Sequence, residues 1–93
     1  MRIIGHIEHP TLKITVFKTG ERISVKFENE GYEQTFKLGQ DDRLANLAAV
    51  QQWADATLLQ QVQATFQQLH QAHLAALERA FPTAQMVVFE DII

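Results

Sequence analysis

The sequence predicts a two-layer α+β domain: a four-stranded antiparallel meander, then a short helix and one long helix packed on a single sheet face. Three observations lead there. Residues 2–38 alternate apolar and polar side chains with a period of two, and turn-forming stretches interrupt that alternation at three places; residues 56–81 then switch to the helical period. A sheet with one apolar face and a helix with a broad apolar stripe bury both by closing on each other.

In the first strand Ile3 and Ile7 are expected to point inward. Leu12, Ile14 and Val16 do so in the second, Ile23, Val25 and Phe27 in the third, and Tyr32, Phe36 and Leu38 in the fourth. The alternate positions, Lys13 and Thr15, then Arg22, Ser24, Lys26 and Glu28, then Glu33, Thr35 and Lys37, face water. His9-Pro10-Thr11, Thr19-Gly20-Glu21 and Asn29-Glu30-Gly31 have the length of tight connections, and Gly31 stands where a three-residue hairpin takes a left-handed residue. Gln34 breaks the apolar face between Tyr32 and Phe36, which places it at the sheet edge or against a helix end.

Residues 41–54 read as the short helix, capped by Asp41 or Asp42, with Leu44, Leu47, Ala48 and Val50 as its apolar members. Trp53 at the junction is expected to plug the end of the core, with a ligand platform as the alternative. On a 100° wheel the long helix aligns Leu59, Val62, Phe66, Leu69, His73 and Leu77, flanked by Leu58, Ala76, Ala80 and Phe81. It holds no proline or glycine. Thr57 with Gln60 offers a capping box, Asp55 is the competing cap, and Pro82 ends the helix. At 1.5 Å per residue it spans roughly 39 Å, against roughly 23 Å for a seven-residue strand. The helix must therefore overhang, kink or meet a second chain. Beyond Pro82, Gln85-Met86-Val87-Val88-Phe89 reads as a fifth strand within 85–90, pairing inside the chain or across a dimer. All of 1–93 is read as one domain, 2–38 being the meander and 41–81 the helical part.

With 93 residues, 46% apolar and 20% charged, the chain can build one modest core. The lack of cysteine excludes a disulfide framework, a thiolate zinc site and a cysteine nucleophile. The opening residues lack the apolar run of a signal peptide and no stretch is long enough to span a membrane, so a cytoplasmic location and no membrane contact are expected. The net charge of −3 is uneven: residues 1–40 carry six Lys or Arg against five acids, and 41–93 carry two against six. That balance argues against nucleic acid on the helical half.

Four histidines form two pairs of equal spacing, His6 with His9 and His70 with His73. The second pair sits about 60° apart on a helix, which makes His70 and His73 the candidate metal ligands. No acid stands three or four residues from them to complete a dinuclear carboxylate pattern, so no metal or other cofactor is expected, and a histidine metal-binding protein is kept as the third functional reading. His73 lies in the middle of the apolar stripe, where its nitrogens need partners in a core or an interface. Ser24, the only serine, sits in a strand away from any nucleophile elbow, and the four glycines are too isolated to cradle a phosphate. Catalysis is not expected.

From Ala56 to Leu77 there is no charged side chain, and the face opposite the leucines is built of glutamines and alanines. Packing such a face requires no ion to be desolvated, and each amide both donates and accepts. The leading expectation is a homodimeric protein-interaction or scaffold module. Its interface comprises Leu59, Phe66, Leu69, His73 and Leu77, with Gln60, Gln67 and Gln71 nearest the partner. The second expectation places single-stranded nucleic acid on the outer sheet face, across Lys13, Phe17, Arg22, Lys26 and Lys37. The order of four strands and then a helix, over residues 2–81, is similar to that of the single-strand-binding Whirly and Pur-alpha-like folds. That resemblance implies strand binding and dimerisation but assigns no residue. Glu28 and Glu33 on the same face oppose it.

Overall fold

A computed structural model describes residues 1–82. Strands β1 (Arg2–Ile7), β2 (Lys13–Thr19), β3 (Arg22–Glu28) and β4 (Glu33–Gly39) form one antiparallel sheet in the order β1-β2-β3-β4. A single 3-10 turn, Asp42–Leu44, leads into helix α1 (Leu47–Trp53) and then α2 (Ala56–Ala80). The α+β meander read from the sequence is the observed architecture. The fifth strand expected within 85–90 lies outside the described residues.

The two central strands supply most of the core, because only they have a neighbour on either side. Ile14, Val16, Ile23, Val25 and Phe27 are fully buried, as is Val50 from α1, and Val62 and Phe66 from α2 close over them. Trp53 is half-buried at the junction of the helices. Its ring meets Phe36 at 5.4 Å and Phe27 at 6.3 Å between centroids, and those two phenylalanines meet edge-on at 5.6 Å. Tilted and edge-on contacts set the negative ring faces against positive edges, so the tryptophan ties the helical layer to β3 and β4.

Four local expectations are corrected. A bulge between Ile3 and Gly5 shifts β1 by one residue, so Ile3 pairs with Phe17 on the outer face and is 55% exposed, while Ile4 and Ile7 pack on the core. A one-residue insertion reverses side-chain facing in a strand. Gly5 thereby faces α1, where a Cβ would lie 2.5 Å from Leu47 Cδ2. The β3–β4 connection is not a glycine-dependent hairpin: Gly31 has no positive φ, and Asn29 closes the turn by accepting from the backbone N–H of Gly31 (3.0 Å) and Tyr32 (2.8 Å). The left-handed hairpin glycine is Gly20, φ +60°, between Thr19 and Arg22.

Residues 41–54 form two pieces instead of one helix. Asp41 caps the 3-10 turn, while Asn46 accepts from Ala49 N–H at 2.9 Å and restarts the chain as α1. Asparagine in extended backbone is a strong helix start, and Ala48 consequently turns outward while Val50 is buried. At α2 the cap is Asp55, accepting from Leu58 N–H at 2.9 Å, and Phe81 closes the far end with its N–H on Leu77 O at 2.7 Å. Gln34 lies on the edge strand β4 and bonds to α2 in its second turn, where its amide donates to Val62 O at 2.9 Å.

Candidate interaction surface

Helix α2 has 25 residues, about 37 Å at 1.5 Å per residue, and the sheet covers only its first part. Val62 and Phe66 are the buried members of its stripe and Leu58 and Leu59 are half-buried; from Gln67 to Ala80 every residue is exposed. The apolar line does not stop where the sheet does. Leu69 is 37% and Leu77 42% exposed along it, with Phe81 72% and Leu74 49% exposed on its flank. The helix overhangs, one of the three outcomes its length required.

At the point of departure lies an open groove of about 970 Å³, walled on one side by Gln63, Phe66, Gln67, His70 and Gln71 of α2. The other wall is Thr11 and Leu12 with the Asn29–Tyr32 turn. Both turns at this end are closed by a side-chain acceptor. His9 Nδ1 accepts from the N–H of Thr11 and of Leu12, each at 3.1 Å, just as Asn29 Oδ1 does for Gly31 and Tyr32. Two such bonds hold a short loop in place of a ladder.

Tyr32 bridges the walls. Its hydroxyl lies 3.0 Å from His70 Nδ1 and donates to it when the ring proton sits on Nε2. The Tyr32 ring also meets His70 edge-on at 5.9 Å and His73 at 6.4 Å. His70 and His73 thus converge on a phenol. Among the described residues no three His, Asp or Glu gather closely enough to hold a metal ion. His73 belongs to the stripe but is exposed, as are Gln60, Gln67 and Gln71. Tyr32, Thr11 and Asn29, read from the sequence only as core and turn residues, line the groove together with Gln63, which the sequence did not single out. The one signal for them was a repeated pattern, a polar acceptor followed three residues later by an apolar side chain in His9…Leu12 and Asn29…Tyr32.

The outer sheet face gathers Lys13, Phe17, Lys26 and Lys37 through the pairs Phe17 with Ser24, Ser24 with Lys37 and Lys13 with Glu28; Arg22 pairs with Thr19 at the strand end. Its chemistry is largely internal. Lys26 Nζ lies 3.3 Å from Glu28 and 5.4 Å from the Phe17 ring centre, and Thr15, in the middle of the face, is only 3% exposed. Thr15 sits between His6 and Lys26, with its hydroxyl 3.5 Å from His6 Nδ1. A base stacking on Phe17 would have to displace the Lys26 ammonium.

No helix among the described residues is long and apolar enough to cross a membrane. No family model matches the chain, and neither a curated protein nor a solved structure matches it.

Proposed function

We propose that this protein is a homodimeric protein-interaction module without catalytic activity, and that its contact surface is the overhanging half of α2. One observation carries the reading: the apolar stripe that is covered by the sheet at Val62 and Phe66 continues through Leu69 and Leu77 to Phe81 with no cover among the described residues, and Leu74 stands exposed beside it. Among the described residues nothing covers this line, and apolar surface left in water is what association removes. The lack of charged residues up to Leu77 lowers the cost of covering it.

The test is mass in solution. At tens of micromolar the chain is expected to sediment at twice its 10.6 kDa, and Leu77→Lys at the monomer value with its far-ultraviolet dichroism intact. A wild-type monomer at that concentration sinks the proposal.

A further inference from the structure

Along α2 the apolar positions form an unbroken three-four repeat: Leu59, Val62, Phe66, Leu69, His73, Ala76 and Ala80. This is the a/d spacing of a helix that packs lengthwise on a second element. The sheet meets the first three, and the last four stand exposed. We propose, building on the homodimer reading, that two copies pair through these exposed halves in antiparallel fashion, the Phe81 end of each seated in the groove beside Tyr32 and His70 of the other.

Sterics fix the direction. The sheet lies on the same line of α2 that runs on past Phe66. Two helices side by side in parallel would bring both sheets between them, into one volume. Reversed, each helix end fills the sheet layer of the other copy just beyond its turns, where Thr11, Leu12 and Gly31 wall the groove. The repeat then fixes the register. Leu69 falls opposite Ala80 of the second copy and His73 opposite Ala76, so a large side chain meets a small one at each level. In that register Phe81 of the second copy lies across from Gln68, within a turn of Phe66 and His70. The overhang and the groove thus fit one arrangement.

The size is adequate. The exposed fractions of Leu69, Leu77 and Phe81 together equal one and a half whole side chains, roughly 300 Å² per copy at about 200 Å² for a large side chain. With the interleaved alanines and the groove walls the pair buries about 1,000 Å², at the threshold of a specific interface. Glu78 and Arg79 stand at the ends of the contact, so its centre desolvates no ion.

Because the chain has no cysteine, single cysteines report direction directly. Leu69→Cys and Ala80→Cys are made separately, mixed, and treated at tens of micromolar with a short bismaleimide. Antiparallel pairing separates like positions by eleven residues, roughly 16 Å, so neither variant alone cross-links. The mixture does, in about half of its dimers. Cross-linking of either variant alone, with none added by mixing, overturns the arrangement while leaving the homodimer reading in place. A wild-type monomer by sedimentation removes that reading and this one with it. The groove is tested separately by Phe81→Ala, which is expected to raise the dimer Kd at least tenfold. An unchanged Kd with the cross-linking pattern intact shows that Phe81 does not enter the groove.

Discussion

His9 and Asn29 do one job in two turns, each offering a side-chain acceptor to the backbone two and three residues ahead. His9→Ala is expected to cost about 1 kcal/mol, the usual worth of such a cap, whereas His9→Asn keeps an acceptor at the same reach and costs a few tenths. Thermal melts of both variants check this, and equal losses would count against it. In the core, Phe27→Ala leaves a cavity against Trp53 and Phe36 and should lower stability by about 3–5 kcal/mol in denaturant titration. At the surface the Arg43 guanidinium and backbone N–H bond to Asp41 and lower its carboxyl from 3.8 to about 2. A carboxyl depressed in the folded state supports folding above its ordinary pKa, and that support is lost as pH falls through about 2. Carbon-detected titration should find the Asp41 midpoint there, moving up toward 3.8 in Arg43→Ala.

Among the elements, β3 was legible because strict alternation over seven residues leaves one choice of face, and β2 and β4 because most of their apolar side chains still fall on alternate positions. The first strand was not. Its alternation reads equally well with Ile3 inside, and the bulge that turns Ile3 outward answers to Gly5, whose bare backbone admits Leu47 of α1. That is a contact between distant parts of the chain, which local periodicity does not register. Gly5→Val is accordingly expected to destabilise by about 1–3 kcal/mol through overpacking, with Leu47→Ala in the same chain recovering part of the loss. Additive losses in the double mutant would show that the two side chains do not meet. The split between the 3-10 turn and α1 was hidden for another reason. Asp41, Asp42 and Asn46 are all competent caps, and only the position of β1 decides that the helix starts at the last of them.

At the scale of the whole molecule, the fold class, the layer order and the excess length of α2 could be read from the chain. Where coverage ends could not, since that depends on how far the Asn29–Tyr32 turn reaches along the helix. The groove has the same origin and was likewise invisible. Half of α2 therefore lives on borrowed order. A free helix of fourteen residues is marginal in water, because its first turn fixes six dihedrals for one hydrogen bond. Here that first turn is already made under the sheet, where Asp55, Leu58, Val62 and Phe66 are held. The sheet thus acts as a permanent nucleus, and the rest of the helix only propagates from it. Amide hydrogen exchange in a dilute sample should slow toward Val62 and quicken steadily from Gln67 to Ala80. A loosening of Phe66 alone should unwind everything beyond it.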